Sequence, residues 1–362
     1  MPASAGAKLF GGIVKGLPVE EKTLIERIRR RVGFARALVT GIGDDCAVLR
    51  LPAGHELLVT TDFTLENVHF RREWHPPEVV GRRCVTRGLS DIAAMGGESR
   101  AAFLSLALDR KTPQKWVGRF LDGLLEAAGE FDMPLAGGDT AESVGGIQVD
   151  IVVVGSVPRG TAVLRSGARL GHAIYVTGEL GGSAAALTGL RKGKVRPQDY
   201  ERHFRPTARI NVGRWLRQRK LASAMIDLSD GLSTDLSHIC EESGVGAEVE
   251  ANRIPLARVG KRQDQVTLDL ALHGGEDYEL LFTSAKPIPP RIAGVAITRI
   301  GKIIRKNLFL IGADGRRCKL AAGGWQHFRR PQPRGNVSAN ETFIDKTIVD
   351  WTVTPASRPG NR

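Results

Sequence analysis

Residues 224–243, AMIDLSDGLSTDLSHICEES, decide the fold class. Residues 224–228 read as a buried strand that stops at Ser229-Asp230-Gly231. Residues 232–243 then read as a helix, with Ser229 or Asp230 expected near its N-cap, where a side-chain oxygen can accept an orphan backbone N–H. A strand that passes through an acidic turn into a helix is the unit of a layered α/β protein.

The same alternation runs outward. Downstream, residues 268–272, 278–283 and 295–303 read as strands. Upstream, 210–219 and 182–190 read as helices and 173–177 as a strand. The β-branched run at 147–157 suggests a strand buried on both faces. Residues 113–131, carrying Trp116, Phe120, Leu124 and Leu125, form an amphipathic helix. A proline-opened helix is expected over 77–90, strands over 101–108, 57–61 and 46–49, and a helix over 20–32. The class is therefore α+β or α/β.

Six acidic motifs punctuate this pattern: GIGDD (41–45), TTD (60–62), LSD (89–91), GGD (137–139), DLSD (227–230) and GGED (274–277). Each looks like a turn at the end of an apolar run, and Asp-Gly pairs do mark turns. Carboxylates in such number would repel one another if the fold gathered them, unless cations lay between them. Hard divalent ions such as Mg2+ take oxygen ligands and are held by a few carboxylates plus substrate phosphates. The pattern points to metal-dependent phosphate chemistry.

With 362 residues, 42% hydrophobic and 25% charged, the chain has an ordinary globular composition and room for two domains. No apolar stretch approaches the ~20 residues that span a bilayer, and the first residues show no secretory pattern. Cys46, Cys84, Cys240 and Cys318 stand isolated, which suits reduced thiols in the cytoplasm better than disulfides or zinc. The net charge of +13 comes from 52 Lys and Arg against 39 Asp and Glu, and the basic residues are dispersed. That dispersion favours a solvated surface and phosphate-bearing small substrates over a nucleic-acid module.

In order and spacing, GIGDDCAVL, TTDFTLENVHF, LSDIAAMGG, GGDT, LRSGARLG, YVTGELGGSAAAL, IDLSDGLSTDLSHI and HGGEDYELLFT resemble the thiamine-monophosphate kinase family. That family is a branch of the superfamily that includes aminoimidazole ribonucleotide synthetase and selenophosphate synthetase. TTD-x6-HF and GGEDYEL favour the thiamine branch. The resemblance implies a two-domain architecture: 19–158, an N-terminal α+β domain binding ATP and Mg2+, and 159–328, a C-terminal α/β domain. Residues 1–18 would be a flexible arm and 329–362 a weakly ordered basic tail. The N-terminal sheet would pair with its twin in a homodimer to close a barrel.

The resemblance further implies ATP-dependent phosphorylation of thiamine monophosphate by direct in-line transfer. It assigns metal ligation to Asp45, Thr60, Thr61, Asp62, Asp91, Asp139, Asp227 and Asp230, with Asp62, Asp91 and Asp139 as the catalytic carboxylates. Asp44 is left either as a support for these or as a cap of its turn. Gly138, Asp139, Arg165 and Ser229 would hold ATP, a guanidinium fork matching phosphate oxygens. His69, Glu276 and Trp325 would hold thiamine monophosphate, Glu276 facing the cationic rings and Trp325 stacking on them. One departure is Gly88, where the family usually carries Asn, and its freedom is expected to loosen the geometry around Asp91. Related kinases or synthetases, a non-catalytic nucleotide-binding regulator and a nucleic-acid binder stand as the alternatives.

Overall fold

The computed structural model describes residues 21–32, 37–193 and 195–325. The expected arm at 1–18 and tail at 329–362 lie outside the described residues. In chain order the first part contains α1 (Glu21–Arg31), β1 (Leu38–Thr40), β2 (Val48–Leu49), β3 (His55–Leu65), α2 (Pro77–Ala94), β4 (Glu98–Leu108), α3 (Gln114–Gly129), β5 (Leu135–Glu142) and β6 (Gln148–Pro158). Then come β7 (Ala173–Thr177), α4 (Gly182–Arg191), α5 (Glu201–Phe204), α6 (Ile210–Gln218), β8 (Ala224–Asp227), α7 (Leu232–Ser243) and β9 (Gly246–Glu250). The last part holds β10 (Arg258–Val259), β11 (Asp264–Gln265), α8 (Leu268–His273), β12 (Leu280–Ser284), β13 (Arg291–Ile292), β14 (Val295–Ile304), β15 (Leu308–Ile311) and β16 (Arg317–Lys319).

Two mixed sheets organise these elements. The first has the order β3-β6-β4-β5, antiparallel except for the parallel β4–β5 pair that α3 connects. The second runs β16-β15-β9-β14-β7-β12-β8, with β13 beside β14. Helices α2 and α3 cross where glycine allows it: a Cβ on Gly81 would lie 2.0 Å from the Phe120 carbonyl oxygen, and one on Gly123 1.9 Å from that of Glu78. The apolar core under α2 and α3 continues without a break to Tyr175, Met225 and Phe282 of the second sheet. The C-terminal end of α2 is the wedge between the sheets, with Ser90 Oγ donating to Asp227 Oδ2 at 2.7 Å. Among the described residues, no helix is long and apolar enough to cross a membrane.

Most elements fall where periodicity puts them, and α7 and β7 match to the residue. Residues 268–272 do not: they form α8, because Thr267 caps a helix by accepting the Leu270 N–H, and a short apolar run cannot by itself separate strand from helix. The acidic motifs are not all turns either. TTD lies inside β3, GGD inside β5 and LSD in the last turns of α2. At the start of α7 the N-cap is Gly231, not Ser229 or Asp230. Asp235 reaches back from inside the helix to accept the N–H groups of Asp230 (3.1 Å) and Gly231 (3.0 Å). The first sheet is open within the chain, and the expected dimer barrel is not seen in it.

Candidate active site

On β3, Thr60 and Asp62 alternate with Thr61, so they project from one face and Thr61 from the other. Thr60 and Asp62 meet the last turns of α2. There Thr60 Oγ1 donates to Asp91, and Asp62 and Asp91 share a hydrogen bond. Asp227, at the end of β8, joins them from the second sheet through Ser90. Burial pushes Asp62 up to about 7, with Asp91 and Asp150 adding to the rise and Arg87 opposing it. Asp91 is also raised, first by burial, against the stabilising Thr60 hydroxyl and the charge of Arg165. Asp227 stands well above the carboxylate range, from burial and then from Asp91 and Asp235. A cavity of about 250 Å3 opens on this group, lined by Thr60, Asp91, Arg165, Met225 and Asp227 among others. Three carboxylates that resist ionising together, with hydroxyl oxygens between them, make a hard-cation donor set.

The other expected ligands lie apart from this group. Thr61 donates to Asp150 Oδ1 at 2.6 Å on the opposite face of the sheet. Asp139 is exposed on β5, where its Oδ1 accepts the Thr140 N–H at 2.9 Å. Because β6 and β4 intervene, β3 and β5 are about 14 Å apart at the usual strand spacing. Asp45 is exposed too, and Asp44 serves the turn by accepting the Asp45 N–H at 3.0 Å. The GIGDD loop sits beside the start of β5, for a Cβ on Gly41 would lie 3.7 Å from the Ala136 carbonyl oxygen. Gly138, at φ 146°, has a local reason to be glycine: a Cβ would fall 1.9 Å from the Leu104 carbonyl oxygen. Asp230 is held near Asp235 and His238, and its carbonyl accepts the Trp325 N–H at 3.1 Å. Asp235 is pushed up to about 7 by burial and by Asp230.

The GGED loop packs against the turn at the end of β8. Glu276 and Tyr278 both sit in the left-handed region, at φ 67° and 51°, a strain that persists only where the surroundings enforce it. The loop is pinned by Glu276 N–H to the Ser229 carbonyl (2.8 Å) and Tyr278 N–H to that of Leu228 (3.0 Å). Asp277 completes the clamp by accepting the N–H groups of Gly181 (2.6 Å) and Ser183 (3.2 Å). Glu276 does not present a free carboxylate. Arg83 Nη2 lies 2.7 Å from Oε2 and Arg87 Nη2 2.5 Å from Oε1. Burial alone would raise this acid, but Arg83 and Arg87, with His203 and His69 behind them, hold it well below the usual range. His69 is therefore close enough to act on Glu276, while its Nδ1 accepts the Leu65 N–H at 3.0 Å. Trp325 is half-buried at the Asp230 turn.

Sequence reasoning missed Arg83, Arg87, Asp150 and Asp235. The signal for the arginines was present: Arg83, Arg87 and Asp91 are four apart and share one face of α2.

Residues 43–157 match the model of the AIR synthase related protein N-terminal domain, and 169–286 that of its C-terminal domain. The thiamine-monophosphate kinase of Salmonella typhimurium is 38% identical over 329 residues, spanning 86% of this chain and 99% of the relative. The chain belongs to the thiamine-monophosphate kinase family. Among solved members, the thiamine-monophosphate kinase of Stenotrophomonas maltophilia superposes with a TM-score of 0.70 at 34% identity, over 82% of this chain and 96% of that one. A second, described as AaThiL complexed with AMPPCP and TMP, gives 0.69 at 34% identity over 77% and 89%. In family terms Asp62, Asp91 and Asp139 lie in the N-terminal domain match. Asp227, Ser229, Asp230 and Glu276 lie in the C-terminal one, with Arg165 between the two and Trp325 beyond both.

Proposed function

We propose that this chain transfers the γ-phosphoryl group of ATP to thiamine monophosphate, giving thiamine diphosphate and ADP. The observation that carries the reading is the crowding of Asp62, Asp91 and Asp227, with Arg87 joining this group to Glu276. The solved relative named with AMPPCP and TMP supports both substrates. In the reaction an acceptor-phosphate oxygen attacks the γ-phosphorus, one P–O bond forms, and the bond to the β–γ bridging oxygen breaks to release ADP. The acceptor is already ionised near neutral pH, so no general base is required. The difficulty is repulsion between two polyanions.

Mg2+ fits the donor set: a Thr60 hydroxyl stands beside the carboxylates of Asp62, Asp91 and Asp227, oxygen ligands whose proton affinities are raised, first by burial and then by mutual crowding. Bound there, the ion would neutralise charge on the moving phosphoryl group. On this reading Arg165 and Ser229 attend the nucleotide, and His69, Glu276 and Trp325 the thiamine rings.

Asp45 and Asp139 enter through a second copy. β3 exposes Leu57, Val59 and Phe63 on the face away from α2, at 50%, 60% and 60%. Pairing the β3 edge of one copy with the β5 edge of another would cover this stripe, close a barrel and bring Asp139 of one copy toward Asp62 of the other. Isolated thiols, with Cys84 and Cys240 buried, agree with work in the cytoplasm. The test is a coupled assay for ADP release with ATP, Mg2+ and a panel of phosphorylated vitamins. ADP release dependent on thiamine monophosphate is expected; turnover of a different vitamin phosphate in its place would overturn the reading.

A further inference from the structure

Arg87 stands between the Asp62 group and Glu276. It leaves α2 one turn before Asp91, and its side chain is only 12% exposed. Nη1 donates to the Phe63 carbonyl at 2.9 Å, next to Asp62, while Nη2 reaches Glu276. Its charge acts on both carboxylates, lowering Asp62 and Glu276 alike. Arg83 already holds the second oxygen of Glu276. Two guanidinium groups on one carboxylate leave this trio with one positive charge in excess.

We propose that Arg87 is a ligand of the acceptor phosphate: it holds Glu276 while the site is empty and transfers to the phosphate of thiamine monophosphate when the substrate binds. The inference rests on the kinase reading above. An acceptor whose cationic ring faces Glu276 and whose phosphate faces the acids must pass Arg87. As the ring's charge takes the Oε1 side of Glu276, Arg87 is released beside the phosphate, and a guanidinium fork matches phosphate oxygens. No charge loses its partner in the exchange, and the excess positive charge of the trio is met by the phosphate, which matters where an uncompensated buried charge is expensive. The arrangement also selects: a ligand with the ring but no phosphate would displace Arg87 and leave it unpaired.

The experiment compares thiamine monophosphate with thiamine, which shares the rings and lacks the phosphate. Calorimetry on Arg87→Met is expected to show thiamine monophosphate binding about ten- to hundredfold weaker, the loss of a charge-assisted contact. Thiamine should bind the variant at least as well as it binds the wild type. Equal losses for both ligands would mean that Arg87 acts only by positioning Glu276, and no loss for either would remove it from the site; each overturns the proposal. ATP affinity and melting temperature report whether Arg87→Met has kept its fold. If it has not, Arg87→Lys keeps the charge without the fork, and the same selective weakening at a smaller size is the supporting result. A wild-type protein that binds no thiamine monophosphate refutes the kinase reading and this assignment with it. A wild type that binds it, beside a Met variant that binds it equally well, refutes Arg87 alone.

Discussion

The two edges of the first sheet carry the same kind of residue in opposite circumstances. At the β3 edge, Asp62 is folded against Asp91 and Asp227 and is raised to about 7 by burial and crowding. At the β5 edge, Asp139 and the nearby Asp45 are exposed, and Asp139 accepts the backbone N–H of Thr140. One chain therefore crowds its acids at one edge of the sheet and leaves those of the other edge in the open; on the proposed reading these are the two halves of one metal site. Burial makes the ionised state of the crowded acids costly, whereas the exposed acids at the other edge are solvated.

The sharpest way to break this contrast is substitution at both edges. Asp62→Asn and Asp139→Asn each remove one anionic ligand at nearly constant volume, and each should lower kcat at least about a thousandfold. Near-wild-type turnover by either at limiting Mg2+ would end the metal reading. Their stabilities should differ. An acid whose proton affinity is raised by folding contributes stability below about pH 4 that is lost as pH rises through about 7. Above about pH 7 and without metal, Asp62→Asn should therefore melt no lower than the wild type, and Asp139→Asn should melt with it.

Mixing the two dead variants sharpens the comparison. If Asp62 and Asp139 of one site come from different copies, a mixed dimer carries one doubly altered site and one intact site. With random exchange, about a quarter of wild-type activity should return, since half the dimers are mixed and half their sites intact. Both acids acting from the same chain would give no recovery after the variants have demonstrably exchanged subunits.

What the sequence made legible follows the same division. Periodicity placed nearly every long helix and strand, because a buried face imposes a spacing that needs no partner. The motifs identified the carboxylates but not their separation. Nothing local in TTD says that Thr60 and Thr61 point to opposite faces until Thr60–Asp62 is known to lie within a strand. Strand order then puts GGD at the far edge, and order is a property of the whole sheet. The GGED motif singled out Glu276, yet its arginine partners are some 190 residues away in sequence and meet it only through the packing of α2.

A smaller effect concerns how the β3 side is tied to the rest. Behind Glu276, Arg83 Nη1 donates to the His203 carbonyl at 2.7 Å, and His203 Nε2 meets His75 Nε2 at 2.9 Å. Burial, then the charge of Arg83, lowers His75 to about 4, and His203 is pushed well below its ordinary value in the same way. Between about pH 4 and 6.5 the unfolded chain binds protons that these histidines refuse, so they make stability rise with pH there. The slope is up to about 1.4 kcal/mol per pH unit for each. Asp62, Asp235 and Asp277 are raised and act with the opposite sign. The informative quantity is thus the difference between wild type and His75→Gln in urea unfolding at several pH values. The wild type should lose ground to the variant as pH falls through this window, and a constant difference would show that His75 titrates normally.

The smallest expected effect lies at Gly88, on the face of α2 that rests against β3 and β6. The glycine was expected to loosen the setting of Asp91, yet the space beside it is filled. A Cβ there would lie 2.5 Å from Val153 Cγ2 and 3.7 Å from Thr60 Cγ2. Glycine lets α2 approach the sheet closely enough for Thr60 to donate to Asp91. Gly88→Ala must push the helix outward or turn Val153, an overpacking that costs about 1–3 kcal/mol, partly offset by the better helix propensity of alanine. The melting temperature should fall by a few degrees, and kcat should drop by far less than in Asp62→Asn, because the carboxylates remain and only their spacing shifts. An alanine variant as stable and as active as the wild type would mean that Val153 yields freely. The close seating of α2 on β3 would then not be what sets the distance between Thr60 and Asp91.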